Sequence, residues 1–452
     1  MNTDKQLPDD EQVTRLLARH IANARFSDLP EAAVSAGRRG VLDWLGCALA
    51  GSRHGTLDIL ASVMQELNGQ PQATVLGRKS KAGILEAATI NGQMGHVLDY
   101  DDTHMAGVVL HASSPVLAAL FALSETTRVG GADLLLAYAC GFEAGVRIGQ
   151  ASPGHHRGGW HLTGTLGTFA ASAAAARLLG LDEQQIVHAL GIGGTQAAGM
   201  QQNRGTMCKS FHAGKAAANG ILAAKLAQRG FDSSAQIVEG NRGFCRIYSD
   251  AAAPQALVDE LGRRWEITRN GHKPYACGVV LHPAIDALIR LRKAHAIDAA
   301  KVTQISLRVH PLVLAITAVV EPRTGLKSKF SISHCAAVAL HDGAAGTAQY
   351  TDAKALDPAI MALRQRTTAV ADDSLRNDEA YATVVADGRT YEYHVEHATG
   401  TVDNPMDDEA IRTKFMANAE PAIGRQRAGQ VCDWVAAIER QADVSELMAL
   451  CA

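Results

Sequence analysis

Four basic side chains each stand at the start of an Ala/Gly-rich helical pattern. They are His111 in HASSPVLAALFAL, His161 in WHLTGTLGTFAASAAAARLLGL, Lys209 in GTMCKSFHAGKAAANGILAAKLA and His282 in VLHPAIDALIRL. Ser114 before Pro115 reads as an N-cap followed by a first-turn proline, and Pro283 after His282 repeats the start signal. A helix N-terminus aims unpaired N–H groups outward, so a cation added there concentrates positive potential on an anion. One helix end contributes only about 0.3–1 kcal/mol, while burying a carboxylate costs several kcal/mol. A single such site means little. Four that converge would hold a small molecule carrying two or three carboxylates.

The densest polar run, NGQMGHVLDYDDTH from Asn91 to His104, ends one helix and opens a loop, with Asp99, Asp101 and Asp102 crowded together. The helix dipole disfavours carboxylates at that end. An Asx-rich turn is the plain reading; a magnesium site is a second one, but the spacing matches no EF-hand and no metal is expected. Lys209 and His212 lie three apart on one helix face and share a side, whereas Lys215 falls on another face, as a solvated lysine or a loop tether. GIGGTQAAG from Gly191 follows a helical pattern, DEQQIVHAL, rather than a strand, which excludes a dinucleotide loop. Neither G-x-S-x-G nor G-x-x-x-x-G-K occurs, and the eight cysteines contain no C-x-x-C pair, so serine hydrolase, P-loop and zinc-ribbon chemistry are disfavoured. The 18 histidines, several bracketed by Gly, Ser, Thr or Asp, point to proton chemistry near neutral pH.

The elements that position these groups are mostly helices. From about Asp10 to Leu261 the apolar periodicity is helical almost throughout, and recurring Gly and Ala let backbones approach closely. Around Trp265 the texture changes to WEIT, then to the alternating VTQISLRVH and YATVVADGRTYEYHVEH, where Asp387-Gly388 reads as a hairpin turn. Helical patterns lie between them at HPAIDALIRLRKAH and FSISHCAAVALHDG, and helix returns after Pro405. The expected fold is mainly α: a large all-helical domain over residues 1–265 and 405–452, with an inserted α+β lid domain over 266–404. The cleft between them is the natural place for a ligand. A chain of 452 residues with net charge −3 offers no basic face for nucleic acid. The polar N-terminus and the short, Arg177-broken alanine run argue against a membrane span and for a cytoplasmic protein.

At these residues the chain resembles the MmgE/PrpD family, which includes 2-methylcitrate dehydratases, cis-aconitate decarboxylases and iminodisuccinate epimerase. The likeness runs nearly end to end, through NGQMGHVLDYDDTH, H-x-S-x-x-V at His111, WHLTGT at His161, GTMCKSFHAGKAA at Lys209, KPYACGVVLHPAID from Lys273 and KFSISHCAAVAL from Lys329. The resemblance implies a helical main domain with an α+β lid, a homodimer, and a site that uses no cofactor. It places Asp99, Thr103, His111, His161, Lys209 and His282 at positions lining that site. His334 departs from the pattern, since decarboxylase-like members carry tyrosine there, and this argues against decarboxylation of cis-aconitate itself. The loop from Asp102 to His111 is also slightly longer than theirs.

Dehydration, epimerisation and decarboxylation of such acids share one hard step, making or quenching a carbanion beside a carboxylate. Lys209 and the helix ends would neutralise substrate charge, and His111 or His161 would move the proton. Asp99 would orient a histidine or act as the base. Thr103, His104, His212 and Lys273 are the expected substrate contacts. The preferred reaction is dehydration of a 2-methylcitrate-like acid. Epimerisation, with His334 as the second acid/base group, is the runner-up, and decarboxylation is a further alternative. A non-catalytic carboxylate-binding protein is the reading from another class.

Overall fold

The computed structural model describes residues 12–67 and 69–452. Asp10, where the helical reading begins, lies outside the described residues; the first described helix is Val13–Asn23. The chain forms two units. One holds the chain up to Val97, Asp101–Asn270 and Asp408–Ala452; the other holds Gly271–Asp407 together with the three residues Leu98–Tyr100. Relative to the 266–404 boundaries read from the sequence, the second unit begins five residues later, ends three later, and gains Leu98–Tyr100.

The first unit is helical, and its packing follows from its small residues. Leu162–Leu178 is buried from Leu162 through Ala176, so its apolar surface goes all the way round, as in a core helix. Alanine and glycine let its neighbours come to backbone contact. A Cβ built on Gly92 would lie 2.7 Å from Cα of Gly214, and one on Gly214 would meet the carbonyl of Thr89, so helices Ile84–Val97 and Met207–Gln228 touch main chain to main chain. A Cβ on Gly220 would lie 2.5 Å from the carbonyl carbon of Ala171, bringing Met207–Gln228 equally close to Leu162–Leu178. These crossings bring together three helix ends that carry polar groups: the last turn of Ile84–Val97 and the starts of the other two. The helix Asp408–Ile423 packs on Glu31–Gly51, with Phe415 against Gly46 and a buried Lys414–Asp43 ion pair at 2.6 Å.

WEIT is not a strand. Glu266–Arg269 forms a single 3₁₀ turn. Glu266 is fully buried, its N–H donates to the Glu143 carboxylate, and its own carboxylate accepts from Arg264 (2.8 Å) and Gln150 (3.0 Å). A side-chain network thus takes up the polar groups that a ladder would have used.

The second unit carries a four-stranded sheet in the order Thr367–Ala371, Val302–Val309, Ala380–Ala386, Arg389–Val395, parallel in the first pair and antiparallel in the others. Ala380–Ala386 alternates strictly between buried and partly exposed, as expected of a sheet covered on one face. The hairpin closes at Asp387-Gly388 with φ of 51° and 71°, the left-handed pair that a two-residue turn demands. Helices His282–His295 and Ile332–Asp342 follow their sequence patterns. The first packs on the sheet, and the second is capped by the Ser331 hydroxyl and stopped by Gly343 at φ 68°. Among the described residues no helix is long and apolar enough to cross a membrane.

Candidate functional site

All four basic residues do stand at helix starts. His161 is the N-cap of Leu162–Leu178, Lys209 is the third residue of Met207–Gln228, His282 opens His282–His295, and His111 precedes Ser113–Ser124 by two residues. Ser114 is not a cap, because the helix already begins at Ser113. Its hydroxyl instead donates to Asp101 (2.8 Å) and accepts from the Trp44 indole (3.1 Å).

In the first unit two imidazoles meet at Asp101 and a third stacks on one of them. His96, in the last turn of Ile84–Val97, places Nδ1 at 2.9 and 3.0 Å from the two Asp101 oxygens, and the Nδ1 of His111 lies 3.7 Å from the same carboxylate. The His96 ring stacks on His161 at 5.4 Å between centroids and tilts against His111 at 4.7 Å. Hydrogen-bond partners fix two tautomers. Asp101 can only accept, so Nδ1 of His96 carries a hydrogen. The Asp102 carbonyl, 2.9 Å from Nδ1 of His111, sets the same tautomer there, with the Thr103 hydroxyl also at 3.0 Å. In its neutral form each ring therefore keeps its basic lone pair on Nε2. Nε2 of His96 and Nε2 of His161 are both buried without a hydrogen-bond partner. An unsatisfied buried polar atom costs about 1–3 kcal/mol, and a pair of them marks where a polar ligand would be welcome.

The electrostatics hold His161 and His212 in their neutral forms. Burial, then Lys209, then the neighbouring imidazoles His96, His212 and His111 push the His161 pKa well below that of an ordinary histidine. Burial, with His96 and Lys209, lowers His212 to about 4. Lys209, His161, His111 and His212 are thus electrostatically one group. Behind them, burial and the nearby Asp43 raise Asp102 to about 8, although Ser113 and Asn270 donate to it.

The second unit holds its own polar cluster. Lys273, almost fully buried, donates to the Asp99 carboxylate at 2.7 Å and to the Asp99 carbonyl at 3.1 Å. Lys329 donates to the carbonyls of Leu98 and Ala276, both at 2.6 Å, and sits 4.8 Å over the Tyr350 ring. Two lysines thereby tie the short Leu98–Tyr100 segment into this unit, with Asp99 in the left-handed region at φ 51°. His282 is buried edge-on to Tyr275, and its Nε2 lacks a partner.

Several expected roles change. His104 has its ring nitrogens at 3.0 Å from the Val108 carbonyl and 3.3 Å from Glu266, both acceptors, so it fastens the loop and offers no nitrogen to a substrate. Thr103 positions His111. Asp99 pairs with Lys273, which spends its charge there. His212 places Nδ1 at 2.9 Å from Nδ1 of His161. His334 is fully buried; its Nε2 donates to the Gln349 carbonyl at 2.9 Å, and burial lowers its pKa to about 4. Its charged surroundings are Arg364, Lys354 and Asp342. Lys215 is exposed, as a solvated lysine should be.

The three aspartates do not form a magnesium cage, because each takes separate partners: Lys273 for Asp99, His96 and Ser114 for Asp101, Ser113 and Asn270 for Asp102. Among the described residues, the buried group that could hold an ion is His96, Asp101 and His111. Two nitrogens and one carboxylate are a poor set for magnesium, and both Nδ1 atoms carry hydrogens toward acceptors. Asp378, His397 and Asp403 form a second, more exposed group. His96 and Asp101 were not singled out from the sequence. The available signal was a histidine on a buried face between Gly92, Gly95 and the aspartates.

Comparison with known proteins bears on what such a site serves. Residues 15–256 match the MmgE/PrpD N-terminal domain and residues 275–438 match the MmgE/PrpD C-terminal domain. The chain belongs to the MmgE/PrpD family. It is 29% identical to the cis-aconitate decarboxylase-like protein oryM of Aspergillus oryzae, over 97% of each chain. It is 27% identical to a cis-aconitate decarboxylase of Aspergillus terreus, over 97% of this chain and 95% of the relative, and 26% identical to that of Mus musculus, over 97% and 93%. The mainly helical MmgE/PrpD architecture with a smaller α+β part is the one observed.

Proposed function

We propose that this chain is a lyase acting on a small di- or tricarboxylate without a cofactor, and that loss of carbon dioxide from a cis-aconitate-like acid is its favoured reaction. The observation that carries the reading is the grouping of Lys209 with neutral, buried His161, whose Nε2 is unpartnered, in a chain matched end to end by cis-aconitate decarboxylases. Lys209 neutralises a substrate carboxylate. When a second carboxylate leaves as carbon dioxide, the electron pair left on carbon is spread into the adjacent unsaturated acid and quenched by a proton from an imidazole. His111, hydrogen-bonded through Nδ1 to the Asp102 carbonyl, is held in the tautomer that presents Nε2 for the same work.

Dehydration, preferred on the sequence alone, now stands second, and one observation favours it. By the family resemblance of the sequence, His334 stands where decarboxylase-like members carry tyrosine, so the phenol is missing. The deciding experiment incubates the protein with a panel of hydroxy-, unsaturated and imino-di- and tricarboxylates in heavy water and follows it by NMR. Carbon dioxide loss with deuterium placed on carbon supports decarboxylation, water loss supports the dehydratase, and α-exchange without net loss supports epimerisation. Binding of citrate-like acids with no conversion overturns the enzymatic reading in favour of a carboxylate-binding protein. The subunit is proposed to act as a homodimer.

A further inference from the structure

The contact between His161 and His212 is unusual because both atoms are Nδ1 and they lie 2.9 Å apart. Two bare lone pairs at that distance repel, and two N–H groups clash, so the contact requires one hydrogen shared between two rings. Room for it is built in. A Cβ on Gly199, at φ 146°, would lie 3.3 Å from Nδ1 of His212, and one on Gly164 would lie 3.2 Å from Cβ of His212. The His161 N–H also donates to the Gly199 carbonyl at 3.0 Å, which fixes the loop beside the pair. His161 is buried at 8% exposure, whereas His212 is partly exposed on the first turns of Met207–Gln228. The pair therefore runs from an unpartnered buried nitrogen, Nε2 of His161, to a ring that reaches toward water.

We propose that His161 and His212 form a two-ring proton relay, in which the hydrogen shared between their Nδ1 atoms shifts as Nε2 of His161 gives up or takes a proton, and so sets whether His161 acts as acid or base. This rests on the acid/base reading of the site given above. With the shared hydrogen on His212, His161 must hold its own hydrogen on Nε2 and is an acid toward a ligand. With it on His161, Nε2 is a lone pair and a base. In a protonation step Nε2–H of His161 goes to the substrate carbon, the Nδ1 hydrogen of His212 passes to Nδ1 of His161, and water gives a proton to Nε2 of His212. Both rings stay neutral. After product leaves, Nε2 of His161 takes a proton from water, the shared hydrogen returns to His212, and His212 releases its Nε2 hydrogen. No imidazolium is needed next to Lys209 and His96, which suits a site where burial and those neighbours disfavour one. His212 is thus a positioning residue acting through His161.

Two measurements test this. Nitrogen-15 NMR of the imidazoles in the ligand-free protein near pH 7 should show one of the two Nδ1 atoms protonated, the other bare, and a coupling between them across the hydrogen bond. Two bare Nδ1 atoms, or no coupling, overturn the relay whether or not the protein turns over any acid. With a substrate in hand, His212→Ala should lower kcat about 100-fold, the lower end of what a general acid or base contributes, with KM within about twofold. Added imidazole should restore turnover in His212→Ala and not in His161→Ala. A raised KM at unchanged kcat makes His212 a substrate ligand and overturns the relay; a lost kcat that imidazole leaves unrestored makes it structural and does the same. If no acid in the panel is converted, the reading as a lyase fails while the NMR result still decides the pair.

Discussion

Replacing Asp102 with asparagine should make the protein more stable, and increasingly so as pH rises. Asp102 is fully buried, and Ser113 and Asn270 both donate to its Oδ2 while Oδ1 has no partner. Burial, with Asp43 and Asp101 nearby, raises it from 3.8 to about 8. A carboxyl raised in the folded state contributes its full stability below the unfolded value of 3.8, and that contribution is lost as pH climbs toward about 8, because the unfolded chain ionises first. One proton corresponds to about 1.4 kcal/mol per pH unit, so wild type should lose about 3 kcal/mol relative to Asp102→Asn between pH 5 and pH 7. Asparagine's Oδ1 accepts the same two hydrogen bonds and does not titrate. Denaturant unfolding of both proteins at pH 5, 6, 7 and 8 reads the difference directly, and any pH-independent offset from the substitution cancels. A difference that stays flat across that range refutes the assignment of a protonated Asp102. Because the Asp102 carbonyl holds Nδ1 of His111, the same titration should disturb activity above pH 8 in wild type and less in the variant.

Lys209→Ala and His161→Ala should each lower kcat/KM at least about 100-fold, the scale on which preorganised charge and general acid–base groups act, with unchanged helicity by circular dichroism. Lys273→Met should destabilise by about 3–5 kcal/mol in chemical denaturation, since it removes the lysine paired with the buried Asp99 carboxylate, and adding Asp99→Asn should recover part of that loss. Gly214→Ala should cost about 1–3 kcal/mol by forcing its Cβ onto the Thr89 carbonyl, and should weaken turnover as well by spreading the helices that carry His96 and Lys209.

The helical architecture was legible because Gly/Ala texture and apolar period agree over long stretches, and the hairpin because Asp387-Gly388 sits between alternating runs. Helix starts were legible too, yet Ser114 shows the limit: a serine before proline reads as a cap whether it caps or, as here, reaches Asp101. Partners far apart in the chain were not legible. Nothing local joins Asp99 to Lys273 or His161 to His212, so roles assigned to single residues moved once the pairs were visible. His334 shows the same limit. Next to each other on one helix, Cys335 meets the Tyr350 hydroxyl while His334 donates to a backbone carbonyl, a difference of facing that a motif does not record. WEIT misled because strand propensity lost to the buried charge network around Glu266.

The arrangement also explains why a polycarboxylate site would bury histidines beside a lysine. Taken alone, Lys209 makes His161 a poorer proton carrier, since it lowers an imidazole already disfavoured as a cation by burial. A ligand carboxylate set against Lys209 cancels that term and adds negative charge of its own, so the same imidazole becomes easier to protonate only while the acid is bound. Proton affinity and ligand affinity then rise together, as linkage requires. A bound acid therefore lowers the cost of positive charge building on the His161 ring as its hydrogen is exchanged, so the neutral relay works best when the site is filled. Lys209 brings a lysine's charge to the cluster, and the groups that must change state are the imidazoles around it.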